Sequence, residues 1–186
     1  MPDKNIIRMT PHPDGFGDRP DPLDAGEFVS ALPVQHSHEC YSDEELGLYV
    51  GVWDTSDMVE VPGPYPMEEF MYLLQGEARI KNNRTGAVES VNAGEAFIIP
   101  RGYDCQWRQL GYLRKYFVIY ENPDEGIPAQ PVLEGVAIPR AGDASEEMQG
   151  ETPFLIKGDA VQMANHCYVN HSGSFRAGTW ECANFE

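Results

Sequence analysis

Glu69-Phe-Met-Tyr-Leu-Leu-Gln-Gly76 and, a little further on, Gly94-Glu-Ala-Phe-Ile-Ile-Pro100-Arg-Gly102 are the stretches from which the fold of this chain is read. Side chains alternate across a strand, so Glu69, Met71 and Leu73 share one face and Phe70, Tyr72 and Leu74 the other. A carboxylate on an inward face has to be paired, hydrogen-bonded, metal-bound or protonated. Glu69 is therefore the first candidate for chemistry, as a ligand or acid/base, against a structural carboxylate held by Arg, Tyr or Trp. The alternation runs on around Gly76 to Lys81, and Asn82-Asn-Arg-Thr-Gly86 reads as a turn. Leu46 to Asp54 and Leu113 to Glu121 are rich in β-formers, and Glu95 to Pro100 is a short apolar run. Many short strands with Gly and Pro turns, and no long segment of helical period, indicate an all-β sandwich or barrel.

The chain has 186 residues, enough for one sizeable domain or one domain with part of another. Its hydrophobic fraction of 41% suffices for a real core. The net charge of −17 argues against nucleic acid or an anionic membrane as partner, because phosphate surfaces are held by clustered Lys and Arg. No apolar run has the length of a transmembrane helix, and the first residues lack the apolar core of a signal peptide. Cys40, Cys105, Cys167 and Cys182 form no C-x-x-C pair; reduced thiols in a cytoplasm are the expectation.

Residues 1–26, with prolines at 2, 11, 13, 20 and 22, are expected to form an extended arm. Residues 27–122 carry the β pattern of one complete domain. Residues 123–153 are rich in Pro and Gly and read as a linker or surface strap. After it the chain begins again. Val34-Gln35 recurs as Val161-Gln162, Cys40-Tyr41 as Cys167-Tyr168, and Gly51 and Trp53 as Gly178 and Trp180, all 127 positions apart. Matches in one register over so short a span point to an internal duplication. Residues 154–186 would then be a partial second copy, whose last residue, Glu186, aligns with Val59. These strands could extend the first domain's sheet or pair with a second subunit.

The two opening stretches resemble the cupin motifs G-x5-H-x-H-x3/4-E-x6-G and G-x5-P-x-G-x2-H-x3-N. Glu69 and Gly76 match the end of the first, and Gly94, Pro100 and Gly102 the start of the second. Where the first motif has its histidine pair, the chain reads Gly63-Pro-Tyr65-Pro-Met67-Glu68, and the histidine expected after Gly102 is Cys105. The resemblance implies a double-stranded β-helix, or jelly-roll, barrel. Gly51-Val-Trp53, Pro64-Tyr65-Pro66, Cys105-Gln-Trp107 and Arg114-Lys115-Tyr116 look like the ureidoglycine aminohydrolase-like and ethanolamine-utilisation branch. In ureidoglycine aminohydrolase the fold is a bicupin whose first cupin lacks metal and whose second holds manganese. By that resemblance no cofactor is expected in the intact cupin here, and Mn or another divalent metal only where a complete second cupin exists.

Within the intact cupin, Glu69 is the expected acid/base or orienting group and Lys115 the second catalytic candidate. Lys115 or Arg114, on opposite faces of their strand, could answer Glu69 or hold an anionic substrate. Tyr65, Met67, Met71, Cys105, Trp107 and Tyr116 are expected to line a pocket for a small molecule. Glu69 and Cys105 alone do not make a divalent site, which takes three or four protein ligands. His36 and His38 precede the first firm strand and are expected in a solvent loop, since their counterparts are Met163 and Asn165. The resemblance implies a protein of nitrogen or amine metabolism, an aminohydrolase if it is an enzyme. The alternative is a metal-free cupin that binds a ligand or serves as a dimerisation scaffold. Cupins of this branch are often dimers, so a homodimer is expected.

Overall fold

The computed structural model describes residues 6–122, 124, 132, 135–148 and 161–183. Among these described residues one 3-10 turn, Ala25–Glu27, accompanies thirteen strands. In chain order these are β1 (Gln35–Asp43), β2 (Leu48–Thr55), β3 (Met58–Val59), β4 (Gly63–Pro64), β5 (Glu68–Gln75), β6 (Glu77–Asn82) and β7 (Val88–Asn92). There follow β8 (Ala96–Ile99), β9 (Asp104–Gln109), β10 (Leu113–Tyr120), β11 (Glu146–Glu147), β12 (Gln162–Val169) and β13 (Arg176–Cys182). The two β-rich runs of the sequence become β2 and β10, and the alternating run becomes β5 and β6, divided at Gly76.

Gly76 has φ +89°, and a Cβ there would stand 2.6 Å from the Tyr112 carbonyl oxygen. A side chain is excluded on both counts. In the turn that follows, the Asn82 side chain accepts hydrogen bonds from the N–H groups of Arg84 and Thr85, returning the chain into β7.

Two antiparallel sheets face each other. One has the order β1-β2-β10-β5-β8; the other has the order β3-β9-β6-β7, with β4 also on β9. This is the expected all-β jelly roll. Its core joins Met71, Leu73, Phe97 and Ile99 of the first sheet to Ala78, Ile80, Val91 and Trp107 of the second. Apolar burial of this kind contributes about 25 cal/mol per Å² and is the main term holding the sheets together. Along β10 the inward positions Ile119, Phe117 and Lys115 open on a cavity, and the next, Leu113, is fully buried. One end of the barrel is thus filled and the other open.

The outer face of the first sheet is covered twice. Over β1 and β10 lies the described part of the N-terminal arm. Asp21 N–H donates to the Gln35 carbonyl (2.8 Å), the Tyr116 hydroxyl reaches the Met9 carbonyl (3.4 Å), and the Arg114 guanidinium sits 5.0 Å from the Phe16 ring centre. Over β5, β8 and β10 lies the β12–β13 hairpin, part of a separate sheet of order β11-β12-β13. Phe175 stacks on Tyr120 at 5.9 Å, and Tyr168 packs on Ile98 while its hydroxyl donates to Glu68 Oε2 (2.7 Å). Within the strap, Ala137 exchanges both backbone hydrogen bonds with Ile98, which lengthens the sheet beyond β8. Pro123, Pro128, Pro131, Gly126 and Gly150 of the expected linker lie outside the described residues, as do residues 1–5 and 184–186.

The β12–β13 pair has the same pairing pattern as β1–β2. Gln35 pairs with Thr55 and Gln162 with Cys182; Glu39 pairs with Gly51 and His166 with Gly178. Both ladders slip at the same place, around Cys40 in one and Cys167 in the other. In both, the glycine lies against a carbonyl across the pair: a Cβ would stand 2.2 Å from the His38 oxygen at Gly51 and 1.8 Å from the Asn165 oxygen at Gly178.

One expectation is corrected at this level. His36 and His38 lie within β1, not in a loop. His36 Nδ1 is 2.8 Å from Asp54 Oδ1 on the neighbouring strand, and Asp54 Oδ2 accepts from the Tyr112 hydroxyl (2.7 Å) and Arg114 (3.1 Å). The loop reading missed that these polar residues alternate along an edge strand whose outer face is covered by a polar cluster and the arm.

Candidate functional site

The open end of the barrel is a cavity of about 780 Å³. Its floor is built by β5 and β10, whose register sets Ile119 opposite Glu69 and Lys115 opposite Leu73. Glu69 and Lys115 are 3% and 6% exposed, and Lys115 Nζ donates to Glu69 Oε1 at 2.8 Å. The ammonium also lies 3.1 Å from Met71 Sδ and over two indoles, 4.6 Å from the Trp53 ring centre and 4.9 Å from that of Trp107. Desolvating such a pair is tolerable only where every charge meets a partner. The second Glu69 oxygen accepts from the Tyr65 hydroxyl. Burial, with Glu69 beside it, holds the Tyr65 phenol well above its ordinary value, so it stays a donor at neutral pH.

Trp107 is fixed from behind: its indole N–H donates to Gln109 Oε1 (2.9 Å), and it meets Trp53 edge-on at 6.4 Å. Cys105 lies on the wall. Burial, then the charges of Glu60 and Asp104, push its thiol up to about 12, so at neutral pH it is not a thiolate nucleophile.

The group with the most useful titration is Glu60. It follows β3, and its N–H donates to the Trp107 carbonyl (3.0 Å). The cavity opens onto its carboxyl, leaving it half-buried, yet protein surrounds it on its other sides. Burial raises that carboxyl to about 7; Lys115 opposes the rise, and Glu69 and Glu27 add to it. Two carboxyls therefore share one cavity in unlike states, Glu69 ion-paired and Glu60 poised near neutrality.

Residues 47–117, from the turn before β2 to the middle of β10, match the EutQ-like cupin domain. The chain carries a cupin domain. Glu60, Glu69, Cys105 and Lys115 all lie within it. In structure the chain is similar to a protein of unknown function of the DUF861 family from Pseudomonas syringae pv. tomato DC3000, with 28% identity and a TM-score of 0.50. That likeness covers 53% of this chain and 42% of the other, so the chain spans less than half of that relative's length. It is also similar to Clostridium difficile EutQ, with 20% identity, a TM-score of 0.42, and 55% of this chain and 82% of the other covered. No curated protein matches the chain.

By the resemblance to the cupin motifs, Glu69 and Cys105 stand at positions expected of metal ligands. The donor set here does not fit a divalent ion. Both Glu69 oxygens are engaged, one by an ammonium that would stand beside the metal, and Cys105 is held as a thiol. Tyr65, Pro66 and Met67 precede Glu68 where imidazoles are needed. Among the described residues no group of three His, Cys, Asp or Glu could hold an ion.

The structure brings Glu69, Lys115, Tyr65, Met67, Cys105 and Trp107 to the cavity. Met71 lies one layer behind, fully buried, with its sulfur against Lys115. Tyr116 is a correction. Strand alternation sets it on the opposite face of β10 from Lys115, under the arm and away from the cavity. Arg114 shares that outer face and cannot hold a substrate in the barrel. Sequence reasoning missed Glu60. Its one signal is Met58-Val-Glu60-Val61, a carboxylate inside a short apolar run.

Proposed function

We propose that the cupin barrel takes up a small nitrogen-bearing molecule and transfers a proton to or from it without a metal ion. The carrying observation is the convergence on one open, aromatic-walled cavity of Glu60 with the Glu69–Lys115–Tyr65 cluster. A general acid or base works best with a pKa near the operating pH, and burial raises Glu60 to about 7. In its acid form Glu60 can protonate a departing nitrogen; as a carboxylate it can take a proton from attacking water. Glu69 orients Lys115 and Tyr65 through its two oxygens. The nitrogen-bearing class, and hydrolysis at a carbon bearing an amine, come from the branch motifs around Trp53, Pro64 and Lys115.

The test is ammonia release from a panel of amine and ureido compounds in the presence of chelator. E60Q is expected to lower kcat by about 10²–10⁴-fold with KM little changed. Turnover that is indifferent to E60Q, or that disappears with chelator, would refute the assignment.

A second reading is a scaffold that dimerises. It is favoured by β13, which has one strand partner among the described strands, and by Trp180 on that strand, 55% exposed. Light scattering that gives a dimer for the protein and a monomer for W180E would support it. The shared register, bulge and glycine contact of β1–β2 and β12–β13 support reading the hairpin as the opening pair of a second cupin repeat. A cytoplasmic setting, in keeping with four unpaired cysteines, belongs to the same proposal.

A further inference from the structure

We propose that the cavity selects a small organic cation and turns carboxylates away. This rests on the reading of the barrel as a small-molecule site and goes further, to the charge of what enters it. Carboxylates line the cavity from floor to rim: Glu69 at the floor, Glu60 on the wall, and Glu27, Glu39 and Glu121 exposed at the mouth. Among the described lining residues Lys115 is the only base.

That one positive charge is already used. Lys115 Nζ has Glu69 at 2.8 Å and two indole faces within 5 Å. A ligand carboxylate would have to displace buried Glu69 from the ammonium and leave that side chain without its cation, while passing the glutamates of the mouth. The other cation of β10, Arg114, is tied to Asp54 on the far side of the sheet. Among the described lining residues no base is left to receive an anion.

A cation meets the opposite conditions. The walls include Phe28, Tyr49 and Tyr65 in addition to the two tryptophans. Aromatic faces with carboxylates near them are the surroundings in which an ammonium keeps its stabilisation after losing water. The Trp53–Trp107 corner already holds one ammonium in this manner, that of Lys115 itself. A second, brought by the ligand, would lie above it toward Glu60, where its charge offsets the carboxylates that Lys115 leaves unbalanced.

The test compares three probes of one shape and different charge by calorimetric titration of the full chain: choline, 3,3-dimethylbutan-1-ol and 3,3-dimethylbutanoate. Choline is expected to bind about tenfold or more tightly than the alcohol, with no saturable binding of the butanoate. E39Q/E121Q, which leaves the floor untouched, is expected to weaken choline several-fold and leave the alcohol unchanged. Equal binding of choline and the alcohol, preference for the butanoate, or binding of none of the three would overturn the proposal. Equal binding would leave the barrel standing as a small-molecule site, and the ammonia-release assay decides that reading independently.

Discussion

Replacing Glu60 by Gln should make the protein more stable, and more so at high pH. The carboxyl rises from its ordinary 4.5 to about 7 in the folded chain, chiefly through burial. Between those values the folded state holds a proton that the unfolded state has released. Stability from this group therefore falls as pH climbs through the window and levels off above it. At about 1.4 kcal/mol per pH unit, the ionised carboxyl costs the fold about 3 kcal/mol at pH 8 and less than about 1 kcal/mol at pH 5. Gln has the same shape and never ionises, so E60Q should exceed the parent by those amounts. Lys115, Glu69 and Glu27, the charged groups that act on Glu60, are common to both proteins. Urea denaturation of both at pH 5 and pH 8 reads the difference directly. An equal difference at the two pH values, or a less stable variant at pH 8, would refute the assignment of Glu60 as a desolvated carboxyl.

Other outcomes follow from the packing. K115M strands a buried carboxylate and should cost about 3–5 kcal/mol, while K115M/E69Q should recover most of it; a double variant as unstable as the single one would contradict the pairing. Y168F removes the hydroxyl that donates to buried Glu68 and should cost about 1–3 kcal/mol by denaturant unfolding. G178A forces a Cβ onto the Asn165 carbonyl and should speed amide exchange in β12 and β13 while leaving β5 and β10 protected. Exchange that rises equally in both would show the hairpin and barrel to open as one unit.

Much of the barrel was legible because its strands are local patterns. The alternation from Glu69 to Leu73 and the aromatic and aliphatic run of β10 each state their own faces, and Gly76 sits where both φ and a facing carbonyl forbid a side chain. The matched pairs 127 positions apart were legible as well, since residues at one offset need no knowledge of the fold; what the structure adds is the like pairing of the two hairpins. Tyr116 failed because aromatic type was read without face: alternation from Lys115, already in hand, puts it outside. His36 and His38 failed because a polar edge strand carries no apolar signal; its outer face is answered by Asp54, Tyr112 and an arm distant in sequence. Glu60 was missed for a related reason, its one signal being a carboxylate within Met58–Val61. A carboxyl titrates near 7 when the protein around it excludes water, and here the neighbours that matter come from β5, β9 and β10. The covering of the sheet's outer face by the hairpin depends on Tyr168 meeting Glu68 across the fold, a contact that no spacing in the chain announces.

The central claim, that this cupin barrel does its chemistry without a metal ion, is tested most directly by the metal content of protein purified with no metal added, measured by inductively coupled plasma mass spectrometry. The account predicts Mn, Fe, Zn and Ni each far below one equivalent per chain, with thermal unfolding unchanged when manganese is supplied. Near-stoichiometric metal that is lost in E69Q or C105S would contradict it and return Glu69 and Cys105 to the role of ligands.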